Sequence, residues 1–291
     1  MKTQIRPLLR TTAKVVVGAS FYLVFLIAAR SIPGAAGILL TFPALNGLTL
    51  LFAKREAVCA ATGTMMAVPL LNAIACFAYI MAIEAAPTIA SNPGWSAASL
   101  VVLCLAWLGA APLAAMVKIP PRTRNVYAVG TSVLLIALVA LFGAPLAEPV
   151  SAHASAALGA NLERMALFVV VLVILAAYTE ERWFKPSPGI LGVLGGLPLV
   201  AFIGLATTAS DTSRPLALRL ASLHDMLTTV WLGPVIAIWF VYLFGAYLAR
   251  STRNQETAPR LREVLLLIGA WSIALLGVHM LHESYLYLRP S

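Results

Sequence analysis

The sequence predicts an all-α polytopic membrane protein with about nine transmembrane helices, arranged as two four-helix inverted repeats joined by a linker helix. Three observations predict this fold class. Apolar residues make up 61% of the chain and charged residues only 11%, a balance typical of membrane proteins rather than of soluble ones. The apolar residues occur in runs long enough to cross a bilayer. A pattern of glycines and prolines also recurs about halfway along the chain.

Nine apolar runs approach or exceed the length that a helix needs to cross the hydrocarbon core, which is about 30 Å thick. A helix is the expected form because it satisfies its own backbone hydrogen bonds in lipid. The predicted spans cover residues 14–30, 33–53, 58–84, 96–117, 126–143, 164–181, 188–208, 219–249 and 263–288.

The basic residues predict the orientation of these spans. If the N-terminus is cytoplasmic, all but five of the 20 Lys and Arg residues fall on the cytoplasmic side; the exceptions are Arg30, Arg164, Arg214, Arg219 and Arg289. Such a bias is the positive-inside signal, so we expect an N-in, C-out topology. This orientation requires the fifth span, residues 126–143, to cross the membrane, because every later span would otherwise be reversed.

The same residues narrow the classes of function. The net charge is +9, but the basic residues lie in small groups at the ends of apolar runs, which argues against a nucleic-acid partner. Cys59, Cys76 and Cys104 show no metal-ligand spacing and are predicted to be buried thiols. No Walker-type glycine loop is present, which argues against an ATP-driven transporter. We therefore expect no cofactor and no metal centre, and membrane lipids as the surrounding partner.

An internal repeat links the two halves. Its signature is a basic residue, a Pro-Gly pair, a further glycine and a second proline, found at Arg30, Pro33, Gly34, Gly37 and Pro43 and again 155 positions later at Lys185, Pro188, Gly189, Gly192 and Pro198. Pro69 with Pro234 and Trp107 with Trp271 continue the match at offsets of 165 and 164. We predict a first repeat in residues 1–118, a linker with the fifth span in 119–163, and a second repeat in 164–291. The odd linker helix inverts the second copy.

The second proline of each repeat lies about ten residues into its helix, near mid-membrane. Each proline lacks a backbone donor and frees the carbonyl four residues earlier. Irregular helix at that depth is tolerated where it is buried in protein or lines a cavity. We predict that these helices, the second and seventh spans, form a substrate site with residues Gly37, Thr41, Pro43, Asn46, Asn72, Gly192, Gly195, Gly196 and Pro198. The alternative interpretation is a packing kink beside glycines.

Two stretches carry a family resemblance. The run from Gly37 to Pro43 resembles the short glycine-to-Phe-Pro signature of the GlpM-like small four-span membrane proteins. The run from Trp231 to Leu243 is similar to the third span of that family. The second copy departs from the pattern at Leu197, where the phenylalanine before the proline is missing. The resemblance implies a bacterial inner-membrane protein whose fold is a duplicated four-span unit, and it implies no particular substrate.

Two asparagines, Asn46 and Asn72, fall near mid-depth in the first repeat. Each amide needs hydrogen-bond partners in an apolar setting. A solute in the predicted site would supply such partners. The alternative is ordinary hydrogen bonding between neighbouring helices.

Six titratable residues fall in the outer third of their spans: Glu84, His224, Asp225, His279, His282 and Glu283. One hypothesis is a proton-coupling or metal-binding cluster that faces a periplasmic vestibule, because histidine changes charge near neutral pH and commonly binds metals. The other is that they are interfacial residues at helix ends, in contact with water.

These patterns favour a gradient-driven secondary transporter and not an enzyme. We expect it to move a small molecule or ion, with an anion as one candidate, by alternating access in the bacterial inner membrane. Two alternatives are open at this point: an accessory subunit for export of an envelope polymer or lipid, and a metal or redox protein with histidine ligands. A homo-oligomer is also compatible with the sequence.

Overall fold

The computed structural model describes residues 44–53, 55–88, 92–142, 205, 209, 215–250, 261–270, 272, 273 and 276. These residues are mostly helical, and none of them forms a strand. The helices are α1 (Ala44–Phe52), α2 (Arg55–Met65), α3 (Val68–Ala85), α4 (Pro93–Met116), α5 (Arg124–Phe142) and α6 (Leu216–Arg250). Residues 261–270 form one further helical segment. The predicted all-helical class is thus confirmed for this part of the chain.

Three of the predicted spans coincide with helical stretches that are long and apolar enough to cross a membrane. These are Ala57–Ala85 with 29 residues, Arg124–Leu141 with 18 and Val230–Arg250 with 21. At 1.5 Å per residue they extend about 43, 27 and 31 Å, close to or beyond the thickness of the hydrocarbon core. They overlie the third, fifth and eighth predicted spans. Of the other spans, the first, sixth and seventh lie almost wholly outside the described residues.

The third predicted span is interrupted rather than continuous. Helix α2 ends at Met65 and α3 begins at Val68, with Pro69 in its first turn. Because Pro69 has no N–H, the carbonyl of Met65 loses the donor that would continue the helix. Pro234, its predicted repeat partner, lies instead inside the continuous helix α6. The two prolines matched in the sequence therefore differ in local structure.

Helix α6 runs antiparallel to α2 and α3. Glu84 of α3 contacts His224, and Phe77, seven residues earlier, contacts Trp231, seven residues later. Farther along, Gly245 lies against Thr62 of α2. Nearly equal steps in opposite directions are the register of antiparallel packing. Large buried side chains on these helices, such as Leu223, Ile80 and Met65, form part of the core.

Helix α5 packs on another side of α6 and is also antiparallel to it. Arg124, at the start of α5, bonds to Cys59 of α2, near the Gly245 end of α6. Eight residues later, Ser132 accepts a hydrogen bond of 3.0 Å from Trp239 Nε1 of α6. The outward side of α5 carries large exposed apolar side chains such as Val126, Val133 and Leu141, as expected of a surface that faces an apolar environment.

The connection between α4 and α5 is fixed to α2 by polar contacts. Arg124 is buried, with 6% of its surface exposed. Its Nε donates to the Ile119 carbonyl at 3.2 Å, and its Nη2 donates to the Cys59 carbonyl at 2.5 Å. Thr64 Oγ1 donates to the Val117 carbonyl at 3.2 Å. Because guanidinium hydrogen bonds are among the stronger ones in proteins, Arg124 holds this connection in place.

Several basic residues lie at the Gly245 end of α6. Arg250 ends α6, and the guanidinium of Arg262 lies 5.9 Å from the centre of the Tyr247 ring. Arg124 and the exposed Lys118 and Arg122 belong to the connection that packs on α2 at this same end. Glu84 and His224 lie at the opposite end. This grouping agrees with the predicted division into cytoplasmic and outer residues, and the orientation in a membrane stays a prediction.

Close packing at Gly245 gives a testable stability prediction. A Cβ at position 245 would collide with Thr62 Oγ1 and lie 2.8 Å from its Cγ2. Thr62 is short and branched, so it cannot swing away. We expect Gly245→Ala to lower the free energy of unfolding by about 1–3 kcal/mol, the usual cost of overpacking, measured by thermal unfolding in detergent.

Gly130→Ala in α5 is the matched control, since nothing lies within 4 Å of the added Cβ. It should be neutral or stabilising by up to about 1 kcal/mol, because alanine favours a helix. In a Thr62→Ala background the penalty at position 245 should largely disappear. An equal penalty in both backgrounds would show that the Thr62 contact is not its cause.

Candidate functional site

Asn72 lies near the middle of the Ala57–Ala85 span and forms a hydrogen bond between helices. Its Oδ1 accepts from Trp107 Nε1 of α4 at 2.9 Å, and Trp107 is itself buried. This is the alternative that the sequence left open for Asn72, a contact typically worth about 0.6 kcal/mol between membrane helices. Asn72 thus joins α3 to α4.

Asn46 lies at a crossing of three helical segments. Its side chain is 4% exposed, and the next residue, Gly47, faces both α6 and the segment 261–270. A Cβ at Gly47 would lie 2.6 Å from Leu267 Cδ1 and 3.0 Å from Phe240 Cζ. The lack of a side chain at position 47 therefore permits the close approach of α1 to α6 and to the segment 261–270.

Glu84 and His224 form the one contact between two predicted coupling residues among those whose side chains are described. Glu84 Oε1 and His224 Nδ1 are 2.8 Å apart although the residues are 140 positions apart in sequence. Glu84 lies in the last turn of α3, and His224 lies in the first half of α6. The side chain of Glu84 is 24% exposed and that of His224 is 51% exposed. The contact is a hydrogen bond with neutral His224 and an ion pair when the ring is protonated.

Arg219 adds a buried positive charge near this pair. It lies five residues before His224 in α6 and is 5% exposed. Its Nη1 donates to the Ala209 carbonyl at 2.6 Å. The end of α6 that carries Glu84 and His224 is therefore a polar region, in contrast to the apolar helix between Asp225 and Arg250.

None of the remaining predicted site residues has a side chain within the described part of the chain. Asp225 follows His224 in α6, and its side chain is outside the described part. The following predicted site residues also lie outside it: Gly37, Thr41, Pro43, Gly192, Gly195, Gly196, Pro198, His279, His282 and Glu283. Among the residues that the structure does describe, no three His, Cys, Asp or Glu side chains are grouped so as to hold a metal ion.

Sequence reasoning missed several polar residues that the structure buries. Arg124 was predicted only as a positive-inside signal, yet it bonds to two carbonyl groups. Trp107 was noted only for its repeat match, and Glu263, fully buried in the segment 261–270, was not predicted. Composition marks such residues as polar, but it carries no signal for the neighbour that each meets across the bundle.

Comparison with known protein families, with curated proteins and with solved structures finds no match for this chain.

A double-mutant cycle tests the contact between Glu84 and His224. We expect Glu84→Ala and His224→Ala to be non-additive, with a coupling free energy of about 0.2–1 kcal/mol, because His224 is half exposed and solvent weakens the pair. The measurement is thermal or denaturant unfolding in detergent. Glu84→Ala combined with Arg122→Ala, at the opposite end of the bundle, should be additive. Additivity in both combinations would mean that Glu84 and His224 do not interact.

Proposed function

We propose that this chain is a secondary transporter, a multi-pass protein of the bacterial inner membrane that moves a small solute by alternating access between two inverted four-helix repeats. The observation that carries the proposal is the antiparallel packing of α6 against α2 and α3, closed at one end by Glu84 and His224. These helices correspond to the eighth and third predicted spans, which occupy equivalent places in the two repeats.

An inverted repeat requires equivalent helices to run in opposite directions. A two-fold axis in the membrane plane reverses the direction of every helix that it relates, so equivalent helices cross the bilayer in opposite senses. When such helices pack on each other, two arrangements of similar energy can open a central site to opposite sides. The registered contacts from Thr62 with Gly245 to Glu84 with His224 support this geometry.

The pair Glu84–His224 is the proposed coupling element. It joins the first predicted repeat to the second, so any change in its strength acts on the relation between the two halves. A protonated imidazole attracts a carboxylate more strongly than the neutral ring does, so uptake of a proton would strengthen this contact. The buried Arg219 and the neighbouring Asp225 are the other charged groups on this part of α6. A proton gradient is therefore the proposed energy source.

The solute site is proposed near mid-depth, where the buried Asn46 and the hydrogen-bonded Asn72 lie. A position between the second and seventh spans, as the sequence suggests, would add the residues Gly37, Thr41, Pro43, Gly192, Gly195, Gly196 and Pro198. We also propose kinship with the GlpM-like proteins. One stretch that carries this resemblance, from Trp231 to Leu243, lies wholly within α6, the helix at the centre of the packing.

Transport can be tested before the solute is identified. Thermal-shift screening of sugars, amino acids, carboxylates and inorganic anions would select binders, which are then offered to liposomes that contain the protein and a trapped pH-sensitive dye. We expect at least one solute to drive proton movement. Glu84→Gln and His224→Gln should abolish the dependence of solute uptake on external pH, while Arg122→Gln at the other end should leave it unchanged.

Replacing either Gly37 or Gly192 by a bulky residue should remove flux if the second and seventh spans line the pathway. The transporter would be ruled out by solutes that stabilise the protein but never cross the membrane.

A further inference from the structure

The structure describes the side chains of three tryptophans, Trp107, Trp231 and Trp239, which differ in whether the indole N–H has a hydrogen-bond partner. Trp107 Nε1 donates to Asn72 at 2.9 Å, and Trp239 Nε1 donates to Ser132 at 3.0 Å. Trp231 is as buried as Trp107, with 3% of its surface exposed, yet its Nε1 has no hydrogen-bond partner in the described part of the chain. A buried donor thus lies on α6 without an acceptor.

An unpaired indole N–H in a protein interior has an energetic cost, and buried tryptophans usually find an acceptor. The cost is greater in a membrane, where water does not reach the helices to replace a missing partner. If position 231 needed only an apolar ring against Phe77, whose ring centre is 5.1 Å away, phenylalanine would supply it without that cost. Packing of the ring against Phe77 therefore does not explain why position 231 carries an indole N–H.

The same turn of α6 contains a second polar group without its usual partner. Pro234 is buried within the helix and has no N–H, so the carbonyl of Val230 lacks its i+4 donor. Val230 is also buried. One helical turn therefore offers a donor at Trp231 Nε1 and an acceptor at the Val230 carbonyl.

The position of this turn fits a solute pathway. Trp231 lies seven residues from His224, about 10 Å along the helix towards its centre, and it faces α3 through Phe77. Neither α6 between Asp225 and Arg250 nor α3 before Glu84 contains a charged residue. A fully charged ligand would be poorly solvated here. The chemistry of the turn favours a neutral ligand.

We propose that the Trp231–Pro234 turn binds the transported solute, and that this solute is small, neutral and carries both a hydrogen-bond acceptor and a donor. An amide or an undissociated carboxylic acid has this character. Its oxygen accepts from Trp231 Nε1, and its N–H or O–H donates to the Val230 carbonyl. The role in transport rests on the proposed function, whereas binding at this turn does not.

Indole NMR tests the binding directly. Protein labelled with 15N at the tryptophan side chains and held in nanodiscs is titrated with acetamide. We expect a saturable downfield shift of the Trp231 indole proton, with unchanged signals from Trp107 and Trp239, which already have partners. N,N-dimethylacetamide, which accepts but does not donate, should give a smaller shift. Sodium acetate should act only as the pH falls and the acid becomes protonated, which separates the two ligand classes.

The Trp231→Phe variant assigns the resonance and gives a second readout. Trp231→Phe and Trp107→Phe lose the same ring volume at equally buried sites, but Trp107→Phe also loses a hydrogen bond, so Trp231→Phe should melt at the higher temperature of the two. If Trp231→Phe does not fold or melts as low as Trp107→Phe, the indole has a partner inside the protein and the proposal is wrong. The proposal also fails if neither acetamide nor acetate shifts the Trp231 signal selectively.

These outcomes are separable from those of the transport assay. Saturable binding at Trp231 without flux would retain the site and remove the transporter. Proton-coupled flux in a protein whose Trp231 signal never responds would retain the transporter and remove this site.

Discussion

The antiparallel packing of α6 against α2 and α3 is the contact on which the other features depend. It is closest at Gly245, where the absence of a side chain admits Thr62, and it ends at the pair of Glu84 and His224. A shift of one residue would rotate α6 by about 100° relative to its neighbours. Such a shift would place a side chain against Thr62 and would separate both Trp231 from Phe77 and His224 from Glu84.

This register gives the two ends of the bundle different chemistry. Near Gly245, buried Arg124 ties the α4–α5 connection to α2. At the other end lie the partly exposed Glu84 and His224. The helix between the two ends is uncharged. It contains the buried indole of Trp231, whose N–H has no acceptor in the described part of the chain. An unsatisfied donor of this kind ordinarily costs about 1–3 kcal/mol. The proposed proton coupling and the proposed solute contact thus lie about two turns apart on α6, close enough for one to influence the other.

Part of this arrangement could be predicted from the sequence because it depends on local properties. Apolar runs of sufficient length predicted the spans of α3, α5 and α6, and their hydropathy placed Glu84 and His224 at the same depth. The pairings could not be predicted, since the partners of Asn72 and Glu84 are distant in sequence and depend on how helices meet. Proline shows the same limit: Pro69 ends a helix at Met65, whereas Pro234, matched to it by position, lies within one.

The most direct test of this account is disulfide mapping across the α2–α6 interface. In a protein whose native cysteines are replaced, Thr62→Cys with Gly245→Cys places two Cβ atoms about 3.1 Å apart, within a small shift of the roughly 3.5–4.5 Å that a disulfide needs. Thr62→Cys with His224→Cys separates them by about 31 Å along α6. Oxidation in membranes followed by mass spectrometry of linked peptides should find the first disulfide and not the second. A disulfide between positions 62 and 224 would reverse α6 and contradict the account.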